Sequence, residues 1–158
     1  MIDIHCHILP DVDDGAEDLK ESLAMAELAV RCGVRDIIAT PHFRGRAGET
    51  GKLPHMLRQL ELLNRELEKA ELPLRVHPGA EIFCLPETVE LAREGDLPTL
   101  GRSRYVLCEF FFDAPFDYMD RILEEIAAAG YKIVVAQKNI YRPFNRNCFI
   151  KNESRILC

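Results

Sequence analysis

An α/β protein with about five parallel strands, curled into most of a barrel, is predicted by three features of this 158-residue chain. Short apolar runs alternate with longer amphipathic runs, a period switching between that of a strand and that of a helix. Each strand is followed by a helix, and parallel neighbours need such a crossover. Right-handed crossovers, the almost universal hand, curl the sheet toward a barrel. The length suits one domain with a real core, and no segment reads as a linker, an internal repeat or a low-complexity tract.

The elements follow in order. Ile2 to Cys6 is the first strand, and Glu17 to Cys32 repeats apolar residues at helical spacing before stopping at Gly33. Val34 to Thr40 is a short buried strand. After a polar loop over residues 45–52, Leu53 to Ala70 forms a long amphipathic helix with Leu57, Leu60, Leu63 and Leu67 on one stripe. The third unit runs from Leu74 through Phe83 with Pro86 to Arg93 as its helix. The fourth runs from Arg104 to Phe112 with Phe116 to Ala129 as its helix, and Tyr131 to Ala136 supplies a fifth strand.

Composition narrows the function. Apolar residues make up 47% and charged residues 29%, ordinary for a soluble globular protein. The net charge of -6 argues against nucleic acid as the main partner. No apolar run approaches the roughly 20 residues of a membrane helix, and the N-terminus lacks a signal core, so neither membrane insertion nor export is expected and a cytoplasmic location is. Cys6, Cys32, Cys84, Cys108, Cys148 and Cys158 form no C-x-x-C pair. Neither a disulfide framework nor a nucleophilic thiolate loop is expected.

The chemistry gathers at strand ends. His5 and His7 are two apart, so both point to the same side of a pleated strand. In a barrel of this kind, the C-terminal ends of the strands carry the functional residues. His42 follows the second strand in Thr40-Pro41-His42, Glu81 ends the third, and Glu109 ends the fourth within an apolar run where a carboxylate is costly without a partner. Taken singly, each has a plain explanation: His42 as a loop residue, Glu81 as an ion-pair partner, Glu109 as an outward charge on an edge strand. Taken together, His-x-His, His, Glu and Glu on one rim form a mixed nitrogen and oxygen donor set. Such a set suits manganese, iron or zinc better than calcium. His55 and His77 are expected to be structural. Asp13 and Asp14, before Gly15, could serve the following helix dipole or orient a ligand from behind, and the sequence leaves both open.

The run His5-Cys6-His7-Ile8-Leu9-Pro10-Asp11-Val12-Asp13-Asp14-Gly15, then Thr40-Pro41-His42, Gly79-Ala80-Glu81 and Cys108-Glu109-Phe110, resembles the PHP-superfamily protein-tyrosine phosphatases of bacterial capsule and exopolysaccharide operons. The resemblance spans residues 1–136, with Asp11 standing where a glycine is usual. It implies a distorted, incomplete TIM-like β/α barrel of the PHP type. It also implies a divalent metal cluster, manganese first with iron or zinc as alternatives, held by His5, His7, His42, Glu81 and Glu109. The implied substrate is the phosphotyrosine-rich tail of a partner tyrosine kinase, attacked by metal-activated water with no protein nucleophile. Arg44 and Arg46 are candidates for steering the phosphate, with solvated loop charge as the plainer explanation.

The match departs after the fifth strand. Where the family carries His-Pro-Glu-Arg-Tyr, this chain reads Gln137-Lys138-Asn139-Ile140-Tyr141, and the family's late Asp-x-His pair has no counterpart. Residues 137–158 hold five Lys or Arg against one Asp or Glu, whereas residues 1–136 hold 15 against 25. The expectation is a partial barrel domain over 1–136 and an atypical basic tail over 137–158, a frameshifted or substituted end. Such a chain would hold an incomplete cluster and tend to self-associate through open strand edges. Two alternatives accompany the phosphatase: a catalytically impaired remnant that binds metal or the kinase tail, and a histidinol-phosphatase-like phosphoesterase.

Overall fold

The computed structural model describes residues 1–46 and 52–136. The polar loop expected over 45–52 lies mostly outside the described residues, as do Cys148, Cys158 and the whole basic tail. In chain order the elements are β1 (Ile2–Cys6), α1 (Leu19–Arg31), β2 (Asp36–Ala39), β3 (His42–Phe43), α2 (Lys52–Lys69), β4 (Arg75–Pro78), β5 (Glu81–Phe83), α3 (Pro86–Glu94), β6 (Tyr105–Glu109), α4 (Phe116–Ala128) and β7 (Lys132–Val135). No described helix is long and apolar enough to cross a membrane.

All strand pairs among the described residues are parallel, as the helical crossovers require. They form two sheets, of order β1-β2-β4 and β3-β5-β6-β7, rather than one closed barrel. The expectation of five strands is thereby corrected to seven short ones among the described residues. The second expected strand, Val34 to Thr40, forms over Asp36–Ala39, and a separate short strand starts at His42, beyond Pro41, which has no N–H to give a ladder. The third is cut at Gly79-Ala80. Gly79 sits where a Cβ would lie 2.5 Å from Ile38 Cγ2, so only glycine lets β4 pass this close to β2. Both chains thus leave one sheet and enter the other side by side, tied by Glu81 N donating to Pro41 O at 3.0 Å.

Each sheet has its own helical cover. α1 and α2 lie on β1-β2-β4, burying Ile8, Ala26, Ile37, Leu63, Leu67 and Val76 together. Full burial of Leu63 and of Leu67 stabilises by about 1.5–3 kcal/mol each. The expected stripe on α2 is buried only in part: Leu57, six residues before Leu63, is 42% exposed. α3 and α4 cover β5-β6-β7 around Ile82, Leu91, Val106, Met119, Leu123 and Ile126. On the other face Ile4, Ile38, Leu107 and Val134, from both sheets, meet Leu100 and Ala136 in a smaller cluster.

Local signals behave as their chemistry predicts. Asp18 caps α1, its carboxylate accepting from Glu21 N at 2.8 Å. Pro86 opens α3, where a missing N–H costs nothing.

A candidate metal centre at the strand ends

β1 delivers the first two donors. The pleat turns His5 and His7 to one side, with ring centroids 5.4 Å apart. The register with β2 shifts between Asp3 and Cys6, the pairing resumes at Cys6 and Ala39, and Thr40 splints it there. Cys6 N donates to Thr40 Oγ1 at 3.0 Å, while Thr40 N donates to Cys6 O at 2.9 Å. Pro41 then sends His42 toward the same rim, its ring centroid 4.8 Å from that of His7.

The neighbouring sheet supplies the acids. β3 and β5 pair His42 with Glu81, and β5 and β6 pair Phe83 with Glu109, so the strand ends lie side by side. Glu81 is 1% exposed and sits at the centre. Its Oε1 is 3.2 Å from His5 Nε2, and its Oε2 is 3.2 Å from His7 Nε2 and 3.3 Å from His42 Nδ1. Glu109 Oε2 reaches His42 Nδ1 at 3.4 Å. All five residues that the sequence nominated therefore meet at one mouth.

Asp13 and Asp14 join them. His7 Nδ1 and Asp13 Oδ2 are 2.7 Å apart, and the same oxygen accepts from His42 N at 3.1 Å. Asp14 Oδ1 lies 3.3 Å from His42 Nε2. Asp13 thus orients His7 from behind, and Asp14 faces the rim as a further donor. The loop holding them is closed by Ala16 N donating to His7 O at 3.1 Å. A Cβ on Gly15 would lie 2.1 Å from that same oxygen, so the loop can fold back over His7 only with glycine there.

The electrostatics ask for a cation. His5 Nε2 and His7 Nε2 approach to 3.4 Å beside the Glu81 carboxylate. Glu81 Oε1 is buried without a hydrogen-bond partner among the described residues. In the metal-free chain a proton fills part of this role. The hydrogen bonds to Asp13 and Glu81 push the His7 imidazole up to about 10, against the opposing effect of burial. Burial by itself would raise the Glu81 carboxyl, but the His5 and His7 imidazoles against it and the nearby His42 bring it down to about 2. Glu109 is pushed up by burial and by the Glu81 charge. Asp13 is held low: its burial is outweighed by the bonds from His7 and the Gly15 amide and by the charge on His7.

The donors fall into three overlapping groups: His5, His7 and Glu81; His7, Asp14 and His42; His42, Glu81 and Glu109. Within each, the donor atoms lie within 4.8 Å of one another. Imidazole nitrogens mixed with carboxylate oxygens suit manganese, iron or zinc. A thiolate nucleophile finds no support here, since burial and the Asp3 and Asp13 charges push the Cys6 thiol up to about 12.

The remaining candidates lie around this centre. Arg44 is exposed at the mouth, its Cζ 5.7 Å from the Phe83 ring centroid. Arg46 turns its guanidinium to Glu94 and Asp96, at and beyond the end of α3. His55 Nε2 lies 2.6 Å from Asp11 O, and His77 Nε2 lies 2.8 Å from Asp36 Oδ1, tying α2 to a loop and β4 to β2.

The protein-family model for capsular polysaccharide synthesis CpsB/CapC matches residues 1–153. The tyrosine-protein phosphatase YwqE of Bacillus subtilis is 40% identical over 148 residues, 93% of this chain and 58% of that protein. The tyrosine-protein phosphatase CpsB of Streptococcus agalactiae is 33% identical over 141 residues, 89% of this chain and 58% of that protein. A solved structure from work on YwqE of Bacillus subtilis and CpsB of Streptococcus pneumoniae, described as unique metal-dependent tyrosine phosphatases, superposes with a TM-score of 0.73. It is 39% identical, covering 85% of this chain and 54% of that one. The chain therefore spans less than two thirds of the length of these relatives.

Proposed function

The chain belongs to the CpsB/CapC family of capsular polysaccharide synthesis, and from that premise we propose that it is a metal-dependent protein-tyrosine phosphatase. Its substrate would be phosphotyrosine on the tail of a tyrosine kinase of capsule or exopolysaccharide synthesis, met in the cytoplasm. The ligands would be His5, His7, His42, Glu81 and Glu109, with manganese as the metal. Residues 1–136 would act as one unit, the two sheets forming parts of a distorted β/α barrel. Two strands pass from one sheet to the other, and the site lies where they cross.

The observation that carries this function is the buried Glu81 carboxylate. It is ringed by three imidazoles at 3.2–3.3 Å and has one oxygen lacking a hydrogen bond among the described residues. Divalent metal held by these residues would supply Lewis acidity for phosphate-ester hydrolysis. The chain's own residues do the positioning. Asp13 accepts a hydrogen bond from Nδ1–H of His7 and so would leave Nε2 as the ligand atom. Glu81 presents its two oxygens to different imidazoles and would hold metal together with them. Glu109 closes the side next to β6.

The test is phosphate release from a phosphotyrosine peptide by the chain with manganese added, with chelator added, and in Glu81→Gln. Turnover that needs manganese and disappears in the variant supports the proposal. A chain that retains no divalent ion and ignores added manganese contradicts it.

A further inference from the structure

Directly above the donors stands a second tier that the phosphate chemistry does not use. Two residues beyond His42, Glu81 and Glu109 come Arg44, Phe83 and Phe111. The three donors sit on β3, β5 and β6, which are adjacent and parallel; Phe83 shares the face of Glu81 on β5, while Arg44 and Phe111 follow just past the ends of β3 and β6. Their contacts bring the three side chains together. Phe83 and Phe111 meet edge to face with centroids 4.4 Å apart, and Arg44 Cζ lies 5.7 Å from the Phe83 centroid. Arg44 is also near enough to Glu109 to favour its ionised form. Phe111 is nevertheless 59% exposed, a large apolar surface left open at the mouth.

We infer that Arg44, Phe83 and Phe111 form a ledge that receives the aromatic ring of a phosphotyrosyl side chain and selects it over phosphoserine. The inference rests on the phosphatase function proposed above and adds the residues that set its specificity. Two strand residues span about 6–7 Å, so a phosphate held at the donor tier carries its ester-linked ring past the upper tier. A seryl side chain has no ring to place there. Aromatic pairs prefer edge-to-face or offset stacking, and the open edge of the Phe83–Phe111 pair offers a third ring such a seat. The Arg44 guanidinium supplies a cation beside it, suited both to an aromatic face and to the anionic peptide.

The experiment is equilibrium binding to the manganese-loaded chain, by fluorescence polarisation, of two labelled peptides that differ only in carrying the non-hydrolysable phosphonate analogue of phosphotyrosine or of phosphoserine. Inorganic phosphate serves as competitor for both. The expected result is tighter binding of the phosphotyrosine peptide. Phe111→Ala and the volume-keeping Phe111→Ile should each cut that preference about threefold to tenfold, the range set by one aromatic contact. Phe112→Ala, at the neighbouring position that makes no such ring contact among the described residues, should leave the preference intact. Equal binding of the two peptides, both displaced by phosphate, would overturn the ledge while leaving the metal–phosphate function standing. Equal weakening of both peptides by Phe111→Ile would also overturn it. Failure to bind either peptide, with no response to phosphate, would overturn both.

Discussion

Asp13 and His7 form the tightest polar contact in the centre, 2.7 Å between Oδ2 and Nδ1, and the same carboxylate oxygen accepts the backbone N–H of His42. One acid therefore fixes the tautomer of the first strand's imidazole and the entry of the second strand's. Carboxylates placed behind ligating histidines typically govern metal affinity by 10- to 100-fold. Asp13→Ala is expected to weaken manganese binding by about that factor, while Asp13→Asn, which keeps an acceptor oxygen, loses less. Calorimetric titration of manganese into the three proteins checks the order. Unchanged affinity in Asp13→Ala would show that the contact is incidental.

The pH dependence of the metal-free chain follows from His7 and Glu81 with opposite signs. The folded His7 imidazole titrates at about 10 against an ordinary 6.5, so its stabilisation is fully present below about 6.5 and is lost as pH rises through 10. The folded Glu81 carboxyl titrates at about 2 against an ordinary 4.5, so its stabilisation is present above about 4.5 and is lost as pH falls through 2. Together these two groups favour the folded metal-free state most between about pH 4.5 and 6.5. Urea unfolding of chelated protein across pH should show this window. His7→Gln should flatten its alkaline limb and Glu81→Gln its acid limb. Saturating manganese should abolish the alkaline loss, because the ion takes the place of the proton.

How far the sequence could be read depended on the kind of information each residue carries. The donors were legible because position at a strand end and ligand type are both one-dimensional properties: His5, His7, His42, Glu81 and Glu109 all converge as their places predicted. The hydrogen bonds of Asp13 were not, since they depend on a loop folding back to meet a backbone amide 29 positions away. The division of two strands was half visible. Pro41 announces a break, but the break at Gly79-Ala80 shows itself only through the close approach to Ile38. Leu57 lay on the right helical stripe, yet how much of that stripe is covered is a tertiary fact. Asp14 could have been nominated from its place beside Asp13 and Gly15, had the turn's direction been known.

Asp11 holds a left-handed backbone, φ 57°, in the loop that closes over His7. An L-residue is strained there by about 1–2 kcal/mol, less for Asp than for most, and glycine is not. Asp11→Gly should therefore stabilise the metal-free chain by about 0.5–1 kcal/mol, after the added freedom of the unfolded chain is counted. Asp11→Val should destabilise it, because a β-branched side chain fits this conformation badly. The backbone carbonyl facing His55 survives both changes and the Asp11 carboxylate, 3.8 Å from His55 Nε2, is lost in both, so the difference between the two variants in urea unfolding isolates the conformational effect.

Gly15 makes the opposite demand. A methyl group there would meet His7 O at 2.1 Å and His7 Cβ at 2.4 Å, neither of which can move without shifting a ligand strand. Gly15→Ala is expected to cost about 1–3 kcal/mol, the usual range for forcing a methyl into packed surroundings. It should also loosen the Asp13 carboxylate, whose other oxygen accepts from the Gly15 amide at 3.0 Å. Stability and manganese affinity should therefore fall together in this one variant, although residue 15 offers no ligand atom. Measuring both by urea unfolding and metal titration tests the coupling. Lost stability with unchanged affinity would mean that the loop closes over His7 without positioning it.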